Sequence, residues 1–174
     1  MPISPSVLRK YVSHTFFETG THNADGVLTA LEVGFKEVIS IEINRYWYDR
    51  AIQRTEVAIS QGRVQLHLGD SHMLMPHIVR GLENGCTFWL DAHWDGDVMG
   101  VKKCPLLDEL RYIKEVAHLR PRILIDDLRL FGTGNWGEGI HIEDVYAHLR
   151  EINPNYHIQL EDGIVPNDIL AAYF

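Results

Sequence analysis

Acidic residues stand at the ends of five successive apolar runs in this sequence. They are Glu18, Glu42, Asp70, Asp91 and the adjacent pair Asp126 and Asp127. In an open parallel sheet, ligands bind beyond the carboxyl ends of the strands, so five such strands would carry these carboxylates to one edge. Like charges gathered at one edge repel each other. The pattern therefore favours a cationic ligand, such as an ammonium group, a sulfonium or a divalent metal ion.

The loop after the first run, residues 18–26, separates two classes of cofactor. A dinucleotide fingerprint needs glycine two positions after Gly20 and again three positions further on, but His22 and Asp25 occupy those places. The P-loop sequence of Gly-Lys followed by Ser or Thr does not occur either. S-adenosylmethionine fits better, because it has no phosphate and its methionyl end is positive. The turn at Gly20 would bring backbone beside it, and Glu42 would accept hydrogen bonds from its ribose hydroxyls.

Apolar runs alternate with helical spacing and predict the elements that position these residues. The expected parallel strands are 15–17, 38–41, 64–68, 86–90 and 122–125. Helices are expected between them, with Asn44 as an N-cap, Gly34 as a stop signal and Pro76 in a first turn. Near-continuous apolar strands indicate a parallel sheet with helices on both faces, which is a doubly wound α/β fold. Alternation over residues 156–174 predicts a closing antiparallel hairpin.

Length, composition and charge exclude several classes of function. The 174 residues are 45% hydrophobic and 23% charged, which indicates one folded domain over residues 1–174 with residues 1–14 as a covering segment. A net charge of -8 opposes nucleic-acid binding and docking on anionic membranes. Two cysteines cannot form a disulfide framework, and no apolar run is long enough to cross a membrane. We therefore expect a cytoplasmic protein.

Five segments in this order and spacing resemble the class I S-adenosylmethionine-dependent methyltransferases: ETGTHNADG, SIEIN, LHLGDS, FWLDAHWDGD and ILIDDLRLFG. The resemblance covers residues 15–174 and implies a Rossmann-like sheet of seven strands, whose last hairpin supplies the antiparallel strand. It implies that Glu18 and Gly20 flank the methionyl group and that Glu42 holds the ribose. Asp70, Ser71 and His72 would contact the adenine side. The remaining cofactor-binding residues that it implies are Thr21, His22, Ile43 and Asp91.

The motifs LDAHW and IDD resemble those of catechol-type and macrolide-sugar O-methyltransferases, which hold magnesium at the ends of strands four and five. The resemblance places the metal ligands at Asp91, Asp126 and Asp127, and carboxylate oxygens are ligands that Mg²⁺ prefers. A bound cation would lower the pKa of a substrate hydroxyl. Asp95 stands where the catechol-type enzymes have a lysine, so His93 is our candidate for the general base, beside Asp91.

The sequence thus predicts a metal-assisted O-methyltransferase that acts on a small hydroxylated acceptor, such as a sugar or another natural product. Two alternatives stay open: a relative of the cephalosporin-type hydroxylases, and a non-catalytic module for cofactor binding or protein interaction. The glycine-rich segment 131–141, with Trp136, is interpreted as a lid over the acceptor, and residues 94–103 as the opposite wall, with Met99 as filler. Trp47 is assigned to the core. A chain this short leaves little protein to enclose an acceptor, so a homo-oligomer is expected.

Overall fold

A computed structural model describes residues 3–93, 103–134 and 139–174. Its centre is one sheet of seven strands in the order β3-β2-β1-β4-β5-β7-β6. The strands are β1 Thr15–Thr19, β2 Glu37–Glu42, β3 Val64–Leu68, β4 Cys86–Leu90, β5 Arg122–Ile125, β6 His157–Glu161 and β7 Ile169–Tyr173. The first five are parallel, and β7 runs antiparallel to both β5 and β6. The predicted doubly wound α/β sheet with its closing hairpin is confirmed.

Within the described ranges, six α-helices connect or cover these strands. They are α1 Pro5–Leu8, α2 Asp25–Val33, α3 Arg45–Ser60, α4 Ser71–Val79, α5 Leu106–Lys114 and α6 Ile142–Ile152. The side chain of Asn44 caps α3 by accepting from two backbone N–H groups, and Gly34 ends α2 in the left-handed conformation, as predicted. None of the described helices is both long and apolar enough to span a bilayer.

Two predicted boundaries were wrong. The first strand extends to Thr19, so Glu18 lies inside β1 rather than beyond its end. Pro76 was expected in the first turn of a helix, but it stands in the interior of α4. That helix begins earlier because Asp70 caps it, with its carboxylate accepting from the N–H of His72 at 2.9 Å. Proline lacks an N–H donor, so one intrahelical hydrogen bond is missing at Pro76.

The core consists of two apolar layers, one on each face of the sheet. One layer contains buried residues of α4, α5 and α6, and the other contains buried residues of α1, α2 and α3. Each face of the central strands is therefore covered, which explains why β1, β4 and β5 are near-continuous apolar runs. The covered faces leave the carboxyl edge of the sheet as the place where polar groups can meet a ligand.

The N-terminal segment is attached to the last hairpin through polar contacts. The hydroxyl of Tyr11 donates to Oε1 of Glu161 at 2.6 Å, and Nζ of Lys10 donates to Oε2 of the same residue at 2.7 Å. Tyr11 is buried against the hairpin, and its ring lies edge-on to Tyr173 with 5.4 Å between centroids. The expected covering role of this segment thus includes a specific anchor on β6.

Candidate active site

A cavity of about 480 Å³ opens at the carboxyl edge of the sheet, where the strand order reverses between β1 and β4. Five of the predicted acids line it: Glu18, Glu42, Asp70, Asp91 and Asp127. Gly20, Thr21, His22, Ile43, Ser71 and His93 line it as well. The reversal point is where open α/β sheets bind their ligands, because neighbouring connections leave on opposite faces and open a crevice. The structure therefore gathers most of the predicted residues around one space.

Gly20 allows the β1–α2 loop to cross the end of β4 at close range. Its φ is +87°, and a Cβ at this position would lie 2.5 Å from the backbone oxygen of Asp91. The N–H of Gly20 donates to the carbonyl of Ile41 at 2.9 Å, which fixes the loop over β2. Any side chain here would strain the backbone and push the loop away from β4. The open turn predicted at Gly20 is thus present, and its neighbour is the end of β4.

Glu18 is buried beneath the loop and linked to it through two hydroxyl groups. Oγ of Ser40 donates to Oε2 of Glu18 at 2.6 Å. The hydroxyl of Thr21 lies 2.5 Å from Oγ of Ser40, and because the proton of Ser40 is already used, Thr21 is the donor in that pair. Burial, with smaller contributions from Asp91 and Glu42, raises the pKa of Glu18 to about 8, although the Ser40 hydrogen bond opposes the shift. Without a positive ligand, Glu18 is therefore mostly protonated at neutral pH.

Glu42 accepts from backbone groups of two loops, the one after β1 and the one after its own strand. Oε2 accepts from the backbone N–H of His22 at 2.6 Å, and Oε1 accepts from the N–H of Asn44 at 2.7 Å. A carboxylate has four lone pairs, so both oxygens retain the capacity to accept from a ligand. Glu42 therefore lines the cavity with acceptor capacity left for a ligand, and its contact with a ribose stays a prediction.

Trp47 belongs to the cavity wall and was wrongly assigned to the core. Its ring stacks against the ring of His22 with 3.8 Å between centroids, and the guanidinium of Arg50 lies 5.6 Å from it. Trp47 is half-buried and lies in the first turns of α3, directly after the Asn44 cap. Its helical spacing is the same as that of a core residue, so the sequence pattern could not distinguish the two positions.

Asp70, Ser71 and His72 separate at the end of β3. Asp70 and Ser71 line the cavity, whereas the ring of His72 lies against α5. Nδ1 of His72 is 3.0 Å from a carboxylate oxygen of Asp108 and 3.2 Å from the hydroxyl of Tyr112. The suggested contact of His72 with an adenine ring stays a prediction, and its observed partners give it a place in the packing of α4 on α5.

Asp91, His93 and Asp127 form a compact group at the other end of the cavity. Nδ1 of His93 lies 3.3 Å from Oδ1 of Asp91 and 3.5 Å from Oδ2 of Asp127. One ligand atom from each of the three residues lies within 4.8 Å of the others. Burial raises the pKa of Asp91, and the neighbouring His93 opposes this shift. The group can orient an imidazole as a proton acceptor, and its carboxylates can hold a cation.

Asp126 belongs to a second acidic group, with Asp127 and Asp168. Burial, together with the nearby carboxylates of Asp91 and Asp127, raises the pKa of Asp126 to about 7. The guanidinium of Arg129 pairs with both Asp127 and Asp168. The predicted metal trio is therefore divided between two groups that share Asp127.

Comparisons with known proteins agree with this architecture. No protein-family model matches the chain, and no curated protein matches it. Solved structures do match: the O-methyltransferase TomG of Streptomyces achromogenes, in complex with SAM, has 14% identity and a TM-score of 0.61, with 97% of this chain and 77% of that chain covered. The SAH-bound methyltransferase PaMTH1 of Podospora anserina has 16% identity and a TM-score of 0.67 over 98% and 75%. A candidate rRNA methylase of Clostridium thermocellum has 14% identity and a TM-score of 0.65, over 99% of both chains.

The chain has the class I methyltransferase fold. In that fold the cavity occupies the crevice between β1 and β4, and Glu42 ends the strand next to it. The fold implied by the sequence resemblance is confirmed by these solved structures, whose sequences are only 14–16% identical to this chain. Trp94, Asp95, Met99 and Trp136, on which the two loop interpretations depended, lie outside the described residues.

A smaller cavity lies behind Asp91 and contains an acid that the sequence analysis did not identify. Glu109 of α5 and Asp126 both line this space. Glu109 is 1% exposed, and its Oε1 has no hydrogen-bond partner among the described residues. Burial, with smaller contributions from Asp70 and Asp91, raises its pKa to about 7. Glu109 occupies the inward face of an amphipathic helix, where an apolar residue is the usual choice, and that was the only available signal.

Proposed function

We propose that this protein is an S-adenosylmethionine-dependent methyltransferase that transfers the methyl group to a hydroxyl of a small acceptor. The observation that carries the proposal is the single cavity at the β1–β4 crevice, in which Glu42, the Gly20 turn and the Asp91–His93–Asp127 group face one space. TomG and PaMTH1, two proteins of this fold, hold SAM and SAH respectively. The residues present here suit the same cofactor.

Each end of the cofactor finds a suitable environment. Glu42 would accept from the ribose hydroxyls, and Trp47 and Ile43 offer apolar surface to the adenosine. Asp25 and Asp91 give the opposite region a negative potential, which favours the ammonium and sulfonium groups. A positive charge beside Glu18 would also lower its raised pKa and return it to the ionised form. Dinucleotides are disfavoured by the same carboxylates.

His93 is the general base in this proposal. The contacts of Nδ1 with Asp91 and Asp127 hold the ring of His93 at the cavity wall, where an imidazole would take the hydroxyl proton. The two carboxylates would stabilise the imidazolium that forms. The rest of the reaction is an in-line displacement, for which the protein positions the acceptor oxygen and the methyl group.

A divalent cation such as Mg²⁺ is the second part of the proposal. Asp91 and Asp127 fit it, because both carboxylates line the cavity and Mg²⁺ is typically bound by one or two carboxylates plus water and substrate oxygens. Bound there, it would lower the pKa of the acceptor hydroxyl. His93 is the base here, because one nitrogen cannot both bind the ion and carry the proton shared with Asp91. Asp126, which lines the smaller cavity, is then not a ligand but a neighbour that adds negative charge.

The acceptor is proposed to be small and not a nucleic acid. The net charge of -8 and the acidic lining of the cavity would repel a phosphate backbone. Ile164, from the loop between β6 and β7, lines the cavity and gives the acceptor an apolar contact. The similar fold of the Clostridium thermocellum protein makes RNA the macromolecular acceptor to include in the assay.

Calorimetric titration with S-adenosylhomocysteine tests the cofactor, and transfer of labelled methyl groups to a panel of hydroxylated compounds and RNA tests the reaction. We expect binding, and transfer to a small acceptor that chelation suppresses and Mg²⁺ restores. Glu42→Gln should weaken binding about 10-fold or more, since hydrogen bonds to a charged acceptor contribute about 1.5–3 kcal/mol each. Glu37→Gln, at the other end of β2, is the matched control. Absence of cofactor binding would reject the proposal, and binding without transfer to any acceptor would favour a non-catalytic module.

A further inference from the structure

Arg129 pairs with two buried carboxylates at the edge of the cavity, and no step proposed above uses it. It follows β5 in a short 3₁₀ helix, Leu128–Leu130, and its side chain lines the cavity. One guanidinium nitrogen donates to Oδ1 of Asp127 and also to Oδ2 of Asp168. Asp127 and Asp168 are 4% and 1% exposed, so their charges are held away from bulk water.

Asp168 fixes this arrangement from the other side. It immediately precedes β7, and its Oδ1 accepts from the backbone N–H of Arg129 at 3.1 Å. Its carbonyl accepts from the N–H of Leu128 at 3.0 Å. The guanidinium is therefore placed by backbone contacts between the end of β5 and the start of β7, and it does not depend on a flexible surface pairing.

We propose that Arg129 competes with the divalent cation for Asp127 and thereby limits the affinity of the site for metal. The inference rests on the metal part of the proposed function. Asp127 uses one carboxylate oxygen for Arg129 and directs the other at His93. A cation that binds Asp127 must share or replace the guanidinium contact, and it also meets the repulsion of a permanent positive charge in a partly buried site.

Asp168 sets the strength of that competition. With Asp168 present, the guanidinium has a second buried carboxylate to pair with when Asp127 turns to the metal. Without it, Arg129 would pair with Asp127 alone and its charge would be uncompensated. Substitutions at Arg129 and Asp168 should therefore change metal affinity in opposite directions, which a general loss of structure would not do.

The test is direct titration of Mn²⁺, followed by electron paramagnetic resonance of the free ion, in the full chain without cofactor. Arg129→Gln should bind Mn²⁺ about 10-fold more tightly than the wild type, as expected for removing one nearby charge. Asp168→Asn should bind it more weakly. Arg129→Lys, which retains the charge, should remain near the wild type, and Arg80→Gln removes an exposed arginine paired with Glu115 as a matched control.

Two results would overturn the inference: unchanged or weaker Mn²⁺ binding in Arg129→Gln, or no Mn²⁺ binding by either protein. Arg129→Gln leaves the buried carboxylate of Asp168 without its ionic partner, which could prevent folding. In that case the double variant Arg129→Gln/Asp168→Asn is used, because it removes the charge of Asp168 as well. It should still bind Mn²⁺ more tightly than Asp168→Asn alone, and equal affinity in the two would reject the competition. Titration with S-adenosylhomocysteine in the absence of metal separates this outcome from a failure of the proposed cofactor.

Discussion

Gly26 leaves open the space that the carboxylate of Glu18 fills. A Cβ built on Gly26 would lie 1.9 Å from Oε1 of Glu18, far inside contact distance. The glycine stands in the first turn of α2, where any other residue would make a better helix. At this position, room for the carboxylate of Glu18 beneath the β1–α2 loop therefore takes precedence over helix propensity.

Gly26→Ala is expected to displace Glu18 and to destabilise the protein by about 1–3 kcal/mol, the usual cost of an overpacked buried position. Binding of S-adenosylhomocysteine should weaken as well, because Glu18 is linked through Ser40 to Thr21 in the loop. Chemical denaturation and calorimetry measure the two effects. Gly134→Ala, where a Cβ meets no atom of the described residues within 4 Å, is the control and should leave both unchanged.

His93→Gln tests the general base. Removing a positioned base typically costs about 10²–10⁴-fold in rate, and the pH dependence of kcat that belongs to the imidazole should disappear. Affinity for S-adenosylhomocysteine should remain within about 2-fold of the wild type. His118→Gln substitutes an exposed histidine of the 3₁₀ helix Ala117–Leu119 and serves as the control. Unchanged kcat in His93→Gln would remove His93 from the reaction.

The fold was accessible to sequence reasoning because its signals are local. Near-continuous apolar runs identified β1, β2, β4 and β5, and the apolar residues of VQLHL identified β3. Asn44 and Gly34 marked the ends of two helices. Strand ends also located the acids, since a parallel sheet brings all carboxyl ends to one edge. The error at Pro76 arose because Asp70, six positions earlier, caps α4, so the helix begins before the position that the proline indicates.

The finer contacts of the site could not be derived in the same way. Arg129 pairs with Asp168, which is 39 positions away in the sequence. His22, in the loop between β1 and α2, stacks on Trp47 of α3. Asp127 has the left-handed backbone conformation, with a φ of +61°. This conformation decides that Asp127, and not Asp126, lines the main cavity. Sequence spacing contains no information on that rotation, and so the predicted metal trio was divided.

Trp47→Ala tests the wall that the sequence analysis missed. An aromatic face against the adenosine contributes about 0.5–1.5 kcal/mol, so affinity for S-adenosylhomocysteine should fall by roughly 2- to 10-fold. Tyr46→Ala removes the preceding, 59% exposed ring and should leave the affinity unchanged. Equal losses in both variants would indicate a general effect on the first turn of α3. An unchanged affinity in Trp47→Ala would place the adenosine elsewhere.

Glu109 gives a stability prediction with a defined sign. Because burial raises its pKa from 4.5 to about 7, the folded protein binds more protons than the unfolded chain between these values. The contribution of Glu109 to the free energy of unfolding is therefore complete below pH 4.5 and is lost as the pH rises through 7, by up to about 3 kcal/mol.

Glu109→Gln, which cannot ionise, should accordingly gain stability relative to the wild type between pH 5 and pH 8. Urea denaturation at the two pH values measures this change, and the difference between variants cancels the titration of Glu18 and Asp126. Glu115→Gln, near the C-terminal end of the same helix, is the control, because pairing with Arg80 lowers the pKa of that exposed carboxyl. Its relative stability should not rise with pH. A pH-independent difference for Glu109→Gln would mean that this buried acid is ionised in the folded protein.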